Sequence, residues 1–203
     1  MAPFRAALLS LALLSGCGAL GAVSDASAPL DAYTLTPYAP GGIPATGRRH
    51  LVVELPTSGG ALATDRILIK PVPLQAQYLP DGRWSEPTPA LLQSLLVASL
   101  QNAGGFRLVG RTGAGLMPDY TLMTEIQSFQ AEPAGRDPKP LIIRVALRLT
   151  VIRESDRQII AARSFAASAN VALADTAAVV AGFDSALQSV LSDVVRWTAA
   201  EAR

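Results

Sequence analysis

The stretch Ile143-Arg144-Val145-Ala146-Leu147-Arg148-Leu149-Thr150-Val151 decides how this chain folds. Every odd-numbered residue in it is apolar, while Arg144, Arg148 and Thr150 fall on even positions. Successive side chains of a β-strand point to opposite faces, so a period of two marks a strand with one face on a core and the other in water. Glu154-Ser155-Asp156-Arg157 then reads as a hairpin loop into a second strand over 158–165. Upstream, Tyr120-Thr121-Leu122-Met123-Thr124-Glu125-Ile126 supplies a third neighbour. Shorter strand candidates lie at 33–36, 51–55, 66–70 and 106–109, punctuated by Pro37, Pro56, Gly59-Gly60 and Gly110.

Two helices accompany these strands. Thr88-Pro89 reads as a cap followed by proline at the first helical position, and Leu92, Leu95, Leu96 and Ser99 then fall on one face until Gly104-Gly105. A second helix is expected from near Asp175 to the C-terminus. Its buried stripe is Val180, Phe183, Leu187, Val190, Leu191 and Val194, with Asp184, Gln188 and Asp193 elsewhere on the surface. One apolar face per sheet and per helix is satisfied by an α+β fold, a mostly antiparallel sheet with two helices packed on one face.

Composition narrows the function classes. Lys and Arg number 17 against 16 Asp and Glu in 203 residues, which gives no electrostatic case for nucleic acid or for a polybasic membrane patch. Half of the chain is hydrophobic, enough for a sizeable core, and the single cysteine excludes an internal disulfide. Packing alone must hold the fold.

That cysteine, Cys17, follows a basic Arg5 and the apolar run Ala6–Leu14. The run is of signal-peptide length and short of the about 20 residues that a spanning helix needs. An alternative cleavage site, Ala26-Ser27-Ala28, lies far from the apolar run and is followed by Pro29. Leu14-Ser15-Gly16-Cys17 resembles the bacterial lipobox, in which the thiol takes diacylglycerol, the preceding peptide bond is cut and the new amino terminus is acylated. The expected organisation is a cleaved lipoprotein signal peptide over 1–16, a lipidated flexible tether over 17–29 and a folded domain over 30–203. Two or more acyl chains hold a protein stably on a membrane. The tether's roughly dozen residues reach at most about 40 Å. Gly18, where sorting signals for the inner membrane carry Asp, points by resemblance to the outer membrane, on its periplasmic side.

Signatures of catalysis are missing from the sequence. His50, the one histidine, stands beside Arg48 and Arg49 with no nucleophile or orienting carboxylate nearby, and reads as a solvated residue where a strand begins. Gly110-Arg111-Thr112-Gly113-Ala114-Gly115 lacks the Lys-Ser/Thr of a phosphate loop. The expectation is a protein that is not an enzyme and has no catalytic residue, metal or cofactor beyond the covalent diacylglycerol and N-acyl lipid at Cys17. Tyr78 and Trp84 flank Pro80-Asp81-Gly82, a turn signal. They read either as rings packed on the sheet edge or helix start, or as a partner-contact loop.

The order of elements carries a resemblance. After the lipobox come Tyr33-x-Leu35, then Tyr78 through Trp84 ahead of a Leu-rich helix ending at Gly104-Gly105-Phe106, and Asp119-Tyr120-x-Leu122 leading to Phe129. Arg163-x-Phe165 and a last helix with Ala186 and Trp197 follow. This pattern resembles the ABC-type transport auxiliary lipoprotein family. The resemblance implies a non-catalytic accessory subunit working with an MCE-domain protein, an ABC permease and an ATPase in moving lipid between inner and outer membranes, as a monomer or homo-oligomer. An outer-membrane assembly lipoprotein of a β-barrel or lipopolysaccharide machinery is the alternative.

Overall fold

In chain order the strands are β1 (Asp31–Tyr33), β2 (His50–Val53), β3 (Thr57–Ser58), β4 (Arg66–Ile69), β5 (Gln77–Trp84), β6 (Leu108–Arg111), β7 (Tyr120–Pro133), β8 (Leu141–Arg153) and β9 (Gln158–Val171). Helix α1 (Thr88–Ala103) joins β5 to β6, and α2 (Thr176–Glu201) follows β9. The computed structural model describes residues 29–40, 47–113, 115, 117–135, 140–172 and 175–202. The expected signal peptide, Cys17 and nearly all of the expected tether lie outside them. Residues Asp31–Arg203 cluster as one unit.

β7 is the spine. The alternating strand read first from the sequence is β8, antiparallel to β7 from Tyr120↔Arg153 to Pro133↔Leu141, with β9 antiparallel beyond it. The opposite edge of β7 is taken by the chain from His50 to Ile69, which runs once along it in three pieces. Leu51–Val53 lie opposite Tyr120–Leu122, Thr57-Ser58 opposite Glu125-Ile126, and Ile69 opposite Ala131, all parallel. β6 extends the sheet parallel to β2, β5 pairs antiparallel with β4, and β1 lies parallel to β5. The sheet is therefore mixed, which corrects the expectation of a mostly antiparallel one. Sequence alternation marks which face of a strand is buried; it carries no information on the direction of a partner reached by a crossover such as β5–α1–β6.

A one-residue bulge makes β7 usable along its whole length. Ile126 pairs with Leu147 and Ser128 with Ala146, so Gln127 is the extra residue. Before it, the even residues Leu122, Thr124 and Ile126 are buried; after it, Phe129 and Ala131 are. All of them match the buried odd residues of β8, from Ile143 to Val151. Without the bulge, Phe129 would turn to the helix-free face.

Both helices cover that one face and touch each other, α2 over β8 and β9 and α1 over β2 and β6. Trp84 from β5, Phe129 from β7 and Phe183 from α2 meet in a single ring cluster, with centroids 4.8–5.7 Å apart. Gly182 sets the distance of α2 from the sheet: a Cβ there would stand 2.5 Å from Val171 Cγ2 and 2.8 Å from Ile143 Cγ1. Asp175 caps α2 by accepting from Ala178 N at 2.8 Å. By contrast, Thr88 lies inside α1 and Pro87 is its cap residue; the Thr88 hydroxyl donates to Thr64 O instead. By length and composition α2 could cross a membrane, but half of its most apolar window is buried in this core.

The N-terminal segment adds a strap over the helices. β1 ends at Tyr33, short of the expected 33–36 strand, because the next backbone groups are taken by helix side chains. Thr36 N donates to Asp184 Oδ1 at 2.7 Å and Gln188 donates to Thr36 O, one turn apart on α2. Tyr38 N donates to Ser99 Oγ at 2.9 Å and Asn102 Nδ2 to Tyr38 O at 3.2 Å on α1. Leu35, just before these ties, is buried. Asp184 and Gln188, read from sequence as surface positions, hold the strap, and Val179 replaces Val180 in the buried stripe.

Truncation of Phe183 to Ala should cost about 3–5 kcal/mol, the range for a large aromatic in a core. Asp184→Ala should cost about 1 kcal/mol through the lost bond to Thr36. Urea denaturation of the two variants checks both, with an unshifted midpoint for Asp184→Ala counting against the strap.

Candidate functional site

The two ends of the sheet differ in chemistry. At one end, the connection from β4 to β5 and the turn after β7 frame an open cleft of about 770 Å³, lined by Lys70, Pro71, Val72, Leu74, Glu132 and Pro133. Lys70 N donates to Ala131 O at 2.8 Å and fixes the base of the connection on β7. Beyond it Val72 is 53% exposed and Leu74 wholly exposed, the latter with a left-handed backbone (φ 69°) that only a constrained turn imposes on leucine. Burial pushes the Glu132 carboxyl up, but hydrogen bonds from Gln130 and Arg144 outweigh it and leave its pKa below the ordinary value.

At the other end Asp119 organises the backbone. Its Oδ2 accepts His50 N at 2.8 Å and its Oδ1 accepts Arg49 Nη1 at 3.0 Å. Its own N–H donates to His50 O, and its carbonyl accepts Glu154 N. The start of β2, the start of β7 and the β8–β9 hairpin are thus tied to one residue. The His50 N–H bond is the chief reason that the Asp119 carboxyl lies below the usual carboxylate range, followed by opposing desolvation and the Arg49 guanidinium. Asp156, bonded to Arg153 in the same hairpin, is lowered for the same kind of reason. A small cleft of about 170 Å³ is lined by Val52, Glu54, Arg111, Thr121 and Glu154, of which Thr121 is bonded to Glu154 and Arg111 to Ser94.

These carboxylates are consumed as structural partners. Among the described residues no group of three or more His, Cys, Asp or Glu is placed to hold a metal ion. His50 sits half-buried at the first position of β2, where a strand begins.

Of the residues singled out by sequence, Cys17 lies outside the described residues. Trp84 is completely buried in the ring cluster, so it is a packing residue; this corrects its reading as a partner contact. The reason is that Pro80-Asp81-Gly82 makes no turn. β5 runs through it, and between the pairs Leu68↔Tyr78 and Arg66↔Arg83 these residues bulge out of register. Proline is tolerated at such a bulge, where the ladder needs no N–H. Tyr78 stays 38% exposed, its hydroxyl donating to Ala61 O at 3.3 Å and its ring lying under the Arg66 guanidinium. The structure separates the two rings that the sequence paired. The exposed Val72–Leu74 tip was missed, although apolar residues alternating with Pro71 and Pro73 cannot join a central strand and so must project.

Comparison with known proteins follows this geometry. The family model described as the ABC-type transport auxiliary lipoprotein component matches residues 33–195. The crystal structure of protein XCC0632 from Xanthomonas campestris superposes with a TM-score of 0.74 at 25% identity, covering 86% of this chain and 96% of that one. A second crystal structure, of an uncharacterised protein, shares the fold at a TM-score of 0.61 and 17% identity over 81% of this chain and 99% of that one. An uncharacterised Bradyrhizobium diazoefficiens protein, bll6063, is 28% identical over 164 residues, 80% of this chain. The chain spans 43% of that relative's length.

The Asp119 ties give a pH signature. A carboxyl whose folded pKa is depressed contributes stability that is complete above its unfolded value and fades as pH falls through the lower folded value. Asp119→Asn should therefore cost about 1 kcal/mol near neutrality. The difference from wild type should shrink below about pH 4. Chemical denaturation across that range checks it.

Proposed function

The chain belongs to the ABC-type transport auxiliary lipoprotein family, and from that membership we propose that it is a non-catalytic accessory subunit of an MCE-type ABC lipid transport system. It faces the periplasm on a lipid anchor at Cys17, in the outer membrane, and works between the two membranes with an MCE-domain protein, an ABC permease and an ATPase. The observation that carries this reading is the position of Leu14-Ser15-Gly16-Cys17 just upstream of a family domain that begins at Tyr33. The family is one of transport auxiliaries, not of enzymes. The chain carries no nucleotide-binding motif, so the energy comes from the ATPase.

Binding to the MCE-domain protein uses loops and sheet edges. The bonded carboxylates and shallow clefts described above favour a surface of that kind over a deep pocket. β9 pairs only with β8 among the described residues, leaving the outer edge of a 14-residue strand for a further strand or a second copy of the chain. Tyr78, exposed on β5, is the aromatic available for contact; Trp84 is not.

Cys17→Ala should abolish acylation and either release the domain from the membrane fraction or leave an uncleaved precursor. Labelling with a palmitate analogue reads this directly, and label retained on the variant overturns the anchor. In pull-downs with the MCE-domain protein, Tyr78→Ala should weaken binding by about 2 kcal/mol, roughly thirtyfold, with the melting curve nearly unchanged. Failure of the intact chain to bind would reject the partner.

A further inference from the structure

We propose that the Pro71–Leu74 tip is a second membrane contact, lying in the headgroup region of the same bilayer that holds the acyl chains of Cys17. This rests on the anchor reading of Cys17. Three observations carry it. The first is the tip itself. Leu74 is wholly exposed and Val72 half exposed, and Gln75 N donates to Val72 O at 3.3 Å across the turn. Pro71 and Pro73 fix their backbone angles, which keeps the apolar residues from folding back onto the sheet. Apolar side chains held out in this way gain when they leave water for lipid.

The second observation is where the chain enters the domain. β1 is parallel to β5, with Asp31 opposite Gly82 and Tyr33 opposite Trp84. β1 therefore runs away from the end of β5 that begins at Gln77, directly after the tip. A stretch of roughly a dozen residues, at most about 40 Å long, separates Cys17 from the domain and keeps the two close.

The third is the charge at the base of the tip. Among the described residues Lys70 lines the same cleft as Val72 and Leu74, and a lysine there suits lipid headgroups. A single flexible anchor leaves orientation free; a second contact at the tip fixes the sheet on end and points the hairpin away from the membrane.

The test uses the acylated full-length chain. Acylation consumes the Cys17 thiol, and the chain has no other cysteine, so Leu74→Cys introduces the one free thiol. It is labelled with an environment-sensitive dye and reconstituted in vesicles of phosphatidylethanolamine and phosphatidylglycerol containing a spin-labelled lipid. Arg157→Cys, at the exposed far hairpin, carries the same dye as reference. The expected result is blue-shifted emission at position 74 and strong quenching by a spin label about 5–10 Å deep, with the dye at position 157 unaffected. If mass spectrometry finds the acyl chains intact and position 74 is as quiet as position 157, the tip contact is overturned while the anchor stands. A chain without acyl mass overturns the anchor and the tip contact with it.

Discussion

The ring cluster of Trp84, Phe129 and Phe183 joins three parts of the chain that are far apart in sequence. Trp84 brings the β5 edge, Phe129 the central strand and Phe183 the last helix, and each ring is almost wholly out of water. Tilted and edge-on contacts of this kind add to the gain from burying such large apolar surfaces. Phe129 reaches the cluster only because Gln127 is an extra residue in β7. A single bulge therefore decides whether the second half of the spine strand faces the helices at all. Gly182 completes the constraint by letting α2 approach the side chains of Ile143 and Val171, where a Cβ would clash.

From that core outward, the N-terminal segment is held differently. It contributes Leu35 to the interior, but its backbone is satisfied by Asp184 and Gln188 on one helix and by Ser99 and Asn102 on the other. The part of the chain nearest the proposed anchor is thus tied both to the sheet edge through β1 and to both helices. Tension from a lipid anchor would be shared between a strand pairing and four side-chain hydrogen bonds. This suits the proposed attachment to a membrane, with no moving part required there.

The placement of charge is consistent with such a role. Asp119, Asp156 and Glu132 all have lowered pKa values, but each is explained by hydrogen bonds from a backbone amide, a glutamine side chain or an arginine within the fold. Perturbed carboxylates in clefts often mark catalysis. Here they mark joints: Asp119 between β2, β7 and the hairpin, and Glu132 between β7 and β8. The surfaces left over among the described residues include a long strand edge, an exposed tyrosine and an apolar tip.

The sequence by itself determined the faces of the elements. The alternation from Ile143 to Val151 and the leucine stripe of α1 fixed what is buried, because side-chain direction repeats with the local backbone period and needs no partner to be read. The order of motifs was likewise legible, and the family that it resembled is the one to which the chain belongs. Only the tertiary structure decided the direction of strand neighbours, since a parallel lane along β7 depends on where a crossover returns. It also decided the fate of Pro80-Asp81-Gly82. The three residues have the chemistry of a turn, but pairing on both sides, to β4 and to β1, holds them in a bulged strand and carries Trp84 into the core. Asp184 was read as a surface residue for the same reason: its helix position points away from the sheet, and nothing local announces that Thr36, 148 residues upstream, will lie across it. Local periodicity is written in neighbouring residues, whereas long-range pairing is settled by which distant backbone groups need a partner once the core has closed.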